Sequence, residues 1–346
     1  MKYKVLSYCP DRHIEYDGET PYKIGVGGGI TARVRMAKAL ASLGHEVTMA
    51  VNCREERWID GVYYIPLNHF HVFDGDVAIL NTSGGDLDLS PVQELDLNVH
   101  LRVVWAHGAA KPTGLDQVKP DYIYVVSNYI ADRIRGDWDI LDTEIFVSFN
   151  GYDSELFTEE VTDGIERDPF KLVYCSHPSK GLESAKHITR LLREQDIRYH
   201  LDVYGGMALW GTEQGSSVAE DGVFDFGLVD QATLIQRLHE ASFSINLQNR
   251  QEPFGLSALE AMRAGCMVLA SKVGAYPEFI EHGKNGFLVE GDADDPATQG
   301  ATADWILRLS AAPERIVEVR REAIAIPWSS SSVATLWESH WRSNLS

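Results

Sequence analysis

Two carboxylates eight positions apart, Glu252 and Glu260, lie in the stretch Gln251 to Gly265, QEPFGLSALEAMRAG. A carboxylate accepts hydrogen bonds, and polyols present many O–H donors, so a pair flanking one pocket suits a sugar or a ribose. Pro253, Phe254 and Gly255 read as a turn. Ala258, Leu259, Ala261 and Met262 favour a helix that Gly265 stops. Glu252 is therefore expected in a loop and Glu260 on the helix after it. The first amides of that helix, near Gly255 to Ser257, have no intrahelical partner and carry the positive end of the dipole, so they can take an anion or a hydroxyl. The same spacing also fits a cap followed by a solvated helix face.

Two further side chains stand out. In KLVYCSHPSKGLESAKHITRLLRE a short strand runs through a loop into an amphipathic helix, with Lys180 and Gly181 at the junction. A lysine there opposes the helix dipole unless an anion sits beside it, which makes Lys180 a candidate phosphate ligand. His107 follows the strand-like VVWA and precedes Gly108. A residue just past the carboxyl end of a parallel strand faces the ligand crevice of an open α/β sheet, although a lone histidine is elsewhere more often structural. Three Asp-x-Asp triplets, Asp74/Asp76, Asp86/Asp88 and Asp137/Asp139, have metal-ligand composition. Asp76 leads into the strand-like VAIL and the others fall in polar connections of a very acidic chain, so no metal is expected.

The elements that must hold these residues alternate. Lys4 to Tyr8 reads as a first strand, Cys9 to Ile24 as a polar irregular loop, and GVGGG as the entry to a helix carrying Ile30, Val34, Ala37, Leu40 and Ala41 on one face. Gly44 ends that helix and Glu46 to Val51 returns as a strand, completing a βαβ unit. A dinucleotide fingerprint needs its glycines directly after the first strand, and the long loop before Gly25 argues against nicotinamide or flavin. Strands are expected at Val62 to Ile65, Val77 to Asn81, Val103 to Ala106 and Tyr122 to Val126, which fits a parallel doubly wound sheet. After the polar segment Thr158 to Asp168, further strands are expected at Lys171 to Ser176, His200 to Tyr204, Val223 to Phe226, Phe243 to Leu247 and Met267 to Ala270, with a helix over Gln231 to Ala241. Trp337 and Trp341 share a helix face near the end of the chain and read, with Trp305 and Trp328, as packing anchors.

Composition sets the frame. At 346 residues two domains are the default. With 44% hydrophobic and 24% charged residues, and no long apolar run, the chain reads as globular and cytoplasmic. Cys9, Cys53, Cys175 and Cys266 show no CxxC or zinc spacing and read as buried thiols. A formal charge of −20 argues against nucleic acid and against loose attachment to anionic lipid. An anionic ligand would have to be held by a few local groups.

The two acids with seven residues between them, enclosing PFGLSAL and followed by AMRAGCMVLAS and GAYPEFIEHGKNGFLV, resemble the carboxy-terminal signature of family 4 retaining glycosyltransferases. VSNYIADRIR (Val126 to Arg135) and FVSFNGYDSELF (Phe146 to Phe157, with Asn150, Gly151 and Asp153) look like two further landmarks of that family. The second marks the end of the first domain, and its structural role as a turn is favoured. The resemblance implies a GT-B α/β fold, two Rossmann-like domains facing across a cleft. Residues 1–155 would form an acceptor domain and 156–325 a donor domain for a nucleotide sugar, with 326–346 crossing back to the first.

It further implies retaining, metal-independent transfer of a sugar from a nucleotide-diphosphate-sugar donor to a sugar or other hydroxyl acceptor, with no cofactor. Glu252, His107 and Lys180 would be catalytic. Gly27, Gly28, Gly29, Cys175, Ser176, Tyr204, Gly205, Pro253, Phe254, Gly255, Leu256, Ser257 and Glu260 would bind the donor. Glu260 would take the ribose hydroxyls, while Tyr204 and the loop near Val229 would border the base. The family usually carries an arginine five residues before the lysine, where this chain has Cys175; an arginine grips a diphosphate bidentately and a thiol does not. His177 or Arg250 could compensate. Alternatives are a nucleotide-sugar-binding protein without turnover, a phosphorylase or a sugar epimerase. Acceptor pockets are expected in loops such as His69 to Asp74 and Ser83 to Ser90.

Overall fold

The structure, a computed structural model, describes the chain except residues 83–86, 141–143, 158–165, 211–219 and 346 and the side chains of 208 and 210. Asp86, the first half of the loop Ser83 to Ser90 and most of the segment Thr158 to Asp168 thus lie outside the described residues. The chain forms two compact units: Met1–Pro21, Gly27–Asp153 and Trp328–Ser346 make the first, and Tyr22–Val26 with Ser154–Pro327 the second.

The first unit carries an eight-stranded sheet in the order β3-β4-β2-β1-β5-β6-β7-β8. Its strands are β1 (Lys4–Tyr8), β2 (Glu46–Val51), β3 (Arg57–Ile59), β4 (Val62–Pro66), β5 (Val72–Asn81), β6 (Asp96–Ala106), β7 (Tyr122–Val125) and β8 (Glu144–Val147). All pairings are parallel except β3 with β4. Sandwiched parallel strands are buried on both faces, which is why β1 and the ends of β5 and β6 are continuous apolar runs. Helix α1 (Gly28–Ser42) follows the glycine loop, and Gly44 sits just past its end at φ 92°. Helix α2 (Asn128–Asp137) is capped by Ser127, whose Oγ accepts from the Ile130 amide at 3.1 Å.

Several details differ from expectation. Cys9 to Ile24 contains a turn of helix at Thr20–Lys23 and buries Tyr16. Gly28 and Gly29 are the first residues of α1, so the loop ends at Gly27. Asp74 and Asp76 lie within β5, where Asp76 accepts from the Lys4 amide at 2.7 Å. Asp137 closes α2 and pairs with Arg133 at 3.2 Å, and Asp88 accepts from the Ser90 amide at 2.8 Å.

The second unit has a fully parallel six-stranded sheet in the order β11-β10-β9-β12-β13-β14. The strands are β9 (Asp168–Ser176), β10 (His200–Gly205), β11 (Val223–Gly227), β12 (Ala241–Asn246), β13 (Met267–Ser271) and β14 (Phe287–Val289). Counted within the unit this is the order 3-2-1-4-5-6 of a dinucleotide-binding fold, whose switch point falls between β9 and β12. Around the sheet lie α3 (Leu182–Gln195), α4 (Gln231–Glu240), α5 (Leu256–Arg263), α6 (Pro296–Ser310) and α7 (Pro313–Ile324). Its core joins Leu172, Tyr174, Ile188, Phe243, Leu269 and Ile306, among others.

The last helix, α8 (Ser330–Asn344), belongs to the first unit. Trp337 meets Trp105 and Tyr124 edge to face at 4.8 and 5.0 Å, and Trp341 lies against Tyr3 and His45. The turn at Asn150–Gly151 secures its start: the Ser330 amide donates to the Tyr152 carbonyl at 2.8 Å, and a Cβ at Gly151 would fall 2.2 Å from that amide nitrogen. Trp328 stacks on Phe149. Trp305 is 38% exposed, with its ring against those of His282 and Phe287.

Candidate active site

In an open α/β sheet the loops leaving the carboxyl ends of the two switch-point strands form the ligand crevice. In the second unit these are the segments after Ser176 on β9 and after Asn246 on β12. The first passes through a turn at Pro178–Lys180 to Gly181 and α3; the second carries Gln248, Arg250 and Glu252 to Gly255 and α5.

The two loops meet through charge. Lys180 Nζ donates to Glu252 Oε2 at 2.8 Å. Gln248 Nε2 donates to the same oxygen at 2.9 Å and approaches the Tyr276 hydroxyl at 3.1 Å, while the Gln248 amide donates to Ser271 Oγ at 2.8 Å. Both bonds to Glu252 fall on Oε2 and none on Oε1 among the described residues, which leaves Oε1 available to a ligand hydroxyl. Burial, then the Glu252 carboxylate, push the Tyr276 hydroxyl well above its ordinary range, so it stays protonated. Gln248 and Tyr276 were not singled out by the sequence; Tyr276 lies in the GAYPEF turn quoted above, and nothing local distinguishes Gln248.

Beside this pair sits a second cation. Arg250 Nη1 donates to Ser179 Oγ at 3.1 Å, and His177 Nδ1 contacts the same hydroxyl at 2.9 Å. Burial, then Arg250 and Lys180, lower the pKa of His177, so it is a neutral group among two cations. Cys175 lies at the end of β9, where burial first and then Cys266, Glu260 and Asp202 hold its thiol protonated. A neutral thiol beside Glu260 adds no positive charge where an arginine would, and Arg250 enters the neighbourhood from the other loop.

Backbone geometry fixes both helix starts. Gly255, the residue before α5, has φ 98°, and a Cβ there would fall 2.5 Å from Tyr276 Cε1. Gly181, before α3, has φ 101°, and a Cβ would fall 1.7 Å from the Leu247 carbonyl oxygen. Neither helix has a side-chain cap at its first turn, so these amides remain for a ligand.

The other expected residues separate into surface and interior. Pro253, Leu256 and Ser257 are partly exposed, as are Cys175 and Ser176. Phe254 is buried against Phe279, and Glu260 is 3% exposed on the inner side of α5. Tyr204 is 2% exposed, with its hydroxyl donating to Asp202 at 3.1 Å and its ring covered by Phe226; Gly205 is buried too, so the half-exposed Phe226 of the neighbouring β11 is what this part of the sheet presents.

In the first unit, His107 follows β6 with its ring 4.4 Å from Trp105. Its Nε2 is buried and has no hydrogen-bond partner among the described residues. Burial, then Arg33, push its pKa down to about 3, so the ring is neutral at physiological pH. Gly27, Gly28 and Gly29 start α1 without a side-chain cap.

A family model described as "Glycosyl transferases group 1" matches residues 170–308, the stretch that holds both loops. The N-acetyl-alpha-D-glucosaminyl L-malate synthase of Bacillus anthracis is 31% identical over 90% of this chain and 93% of its own length. The chain belongs to the group 1 glycosyltransferases. A D-inositol 3-phosphate glycosyltransferase of Frankia alni is 28% identical over 42% of this chain, which spans 38% of that relative. Among solved structures, Anabaena HepE in complex with UDP and glucose is similar over 99% of this chain and 100% of that one, with a TM-score of 0.64 at 15% identity. That likeness is one of fold, and the two parallel-sheet α/β units are those of a GT-B glycosyltransferase. Among the described residues no helix is long and apolar enough to cross a membrane, and no cluster of His, Cys, Asp and Glu could hold a metal ion.

Proposed function

We propose that the protein transfers a sugar from a nucleotide diphosphate to a small hydroxyl acceptor with retention of anomeric configuration and without a metal. The second unit takes the donor and the first the acceptor. The observation that carries this reading is the Lys180–Glu252 pair at the switch point, flanked by Arg250 and by two uncapped helix starts. Lys180, Arg250 and the amides of α3 and α5 stabilise the negative charge that grows on the leaving diphosphate, and Arg250 takes over the grip that Cys175 lacks. Glu252 orients the sugar through Oε1, and Glu260 serves the ribose as the second acid of the E-x7-E spacing.

His107, held neutral, is too weak a base to take a hydroxyl proton and instead exchanges a hydrogen bond with a hydroxyl of the transferred sugar or the acceptor. The relatives' names, which carry malate and inositol 3-phosphate, support a small acceptor. Four unbridged cysteines suit a reducing, cytoplasmic setting.

The test is a panel of nucleotide sugars read first by thermal shift and then by product formation in EDTA, with the anomeric configuration assigned by NMR. One donor should stabilise the wild type and be transferred with retention. Inversion, dependence on an added divalent ion, or full transfer by Lys180→Ala and Glu252→Ala would each remove part of this reading.

A further inference from the structure

Arg33 lies in the second turn of α1 and is 1% exposed. Its Nε donates to the Tyr16 hydroxyl at 3.1 Å, and its guanidinium carbon lies 5.3 Å from the centre of that ring. Its Nη1 is buried and meets no hydrogen-bond acceptor among the described residues. The acids that act on it through space are the Cys9 thiol, the Tyr16 hydroxyl and Asp11. Burial first holds the Tyr16 hydroxyl protonated, and Asp11 accepts from the His13 amide at 3.1 Å and meets the His13 ring through Nδ1. A buried guanidinium is costly unless a negative charge and full hydrogen bonding offset its desolvation; here the fold supplies one hydroxyl, an aromatic face and the Asp11 carboxylate acting through space, and leaves Nη1 without an acceptor among the described residues.

Two observations say where an acceptor for Nη1 would come from. His107 Nε2, which feels Arg33 electrostatically, is a second buried polar atom without a partner among the described residues. A Cβ added to Gly29 would meet Arg33 Nη1 at 3.8 Å and no other atom outside its own turn within 4 Å, so the backbone of Gly29, without a side chain, is what separates the guanidinium from the outside on that side. A cavity of about 10 Å³ lined by Ser7, Arg33, Trp105 and Trp337 has room for a water at most, and a water satisfies a hydrogen bond without neutralising a charge.

We propose that Arg33 binds a carboxylate or phosphate carried by the acceptor, so that the first unit selects hydroxyl acceptors bearing an anion. This deepens the transferase reading and rests on it. Planar guanidinium geometry suits either oxyanion, and His107 Nε2 is the neighbouring group that meets the acceptor's hydroxyl or second oxygen.

The experiment uses the full chain at constant ionic strength. Inorganic phosphate, L-malate and neutral glycerol are titrated by calorimetry and thermal shift into wild type, Arg33→Gln, Arg33→Lys and Gly29→Leu, with the nucleotide-sugar panel run alongside. Phosphate or malate should bind the wild type and glycerol should not, and whichever anion binds identifies the oxyanion class. Arg33→Gln should weaken that binding about tenfold to a hundredfold, the range for losing a hydrogen bond between charged groups. Arg33→Lys should recover part of it. Gly29→Leu, which keeps Arg33 and fills the approach, should weaken it similarly, and so decides the matter should Arg33→Gln fold poorly. A wild type indifferent to both anions, or variants that bind them with unchanged affinity, overturns the assignment. Loss of anion binding with intact donor binding isolates Arg33, whereas absence of donor binding in the wild type refutes the transferase reading instead.

Discussion

The Lys180–Glu252 pair permits a double-mutant cycle whose two readouts should move differently. At 2.8 Å and an effective dielectric of 20, the gross attraction is roughly 6 kcal/mol. The side chains are 24% and 10% exposed, so desolvation and screening return most of that, leaving a net coupling of about 1 kcal/mol. Glu252→Gln removes the charge but keeps an oxygen for Gln248, and Lys180 can turn towards water; its cost is about 1 kcal/mol. Lys180→Met strands a more deeply buried carboxylate on one remaining hydrogen bond, at about 2 kcal/mol. The double variant should lose about 1 kcal/mol less than the sum of the two, read by chemical denaturation. In a unit of this size each kcal/mol is also worth roughly 2–4 °C in Tm. Transfer rates should instead fall by about a hundredfold or more in either single variant, because each removes a group that touches the donor. Additive stabilities within about 0.3 kcal/mol would mean that the two side chains do not interact. Coupled stabilities with undiminished transfer would show the pair to be structural.

Other perturbations follow from the same geometry. Gly255→Ala forces a left-handed φ on an alanine and drives its methyl into Tyr276, so we expect a loss of about 2–4 kcal/mol together with a drop in transfer, checked by denaturation and initial rates. His107 and His239 have pKa values pushed down to about 3 and about 4, chiefly by burial. Their unfolded forms bind protons first, so their contribution is complete above about pH 6.5 and falls as pH drops towards those values, by at most about 1.4 kcal/mol per unit for each. A stability profile of His107→Gln should be flatter over that window than the wild type; an identical profile would refute the assignment. The Cys175 thiol is partly exposed but held protonated, so a thiol reagent should modify it more slowly in the folded protein than on unfolding, as mass spectrometry would show.

Much of the framework is written locally. The limits of β1 and β2 coincide with the segments read from their apolar runs, and the glycine after α1 follows from chain chemistry. Edge strands were less legible: β3 and β8 are short and half exposed, so they carry no continuous apolar signal. The polar first halves of β5 and β6 were invisible for the same reason, since pairing between Val72–Gly75 and Asp96–Val99 is decided by the neighbouring strand. In the site, Glu252 and Lys180 could be chosen by type and position, but their mutual contact could not, because the residues are 72 apart and meet only when β9 and β12 become neighbours. The enclosure of Tyr204 by Phe226 depends likewise on sheet register, and Arg33 reads in the sequence as an ordinary polar member of a helix.

The first unit is not a continuous piece of chain. Trp337 and Trp341, both fully buried, complete a core whose other walls are Tyr3, Trp105 and Tyr124. During synthesis the earlier walls leave the ribosome long before the tail does, and the second unit can fold while the first still exposes the patch those two indoles will cover. A nascent chain halted before Ser330 would display that apolar surface to chaperones and proteases, so truncation ahead of α8 exposes the core of a unit that begins more than three hundred residues earlier.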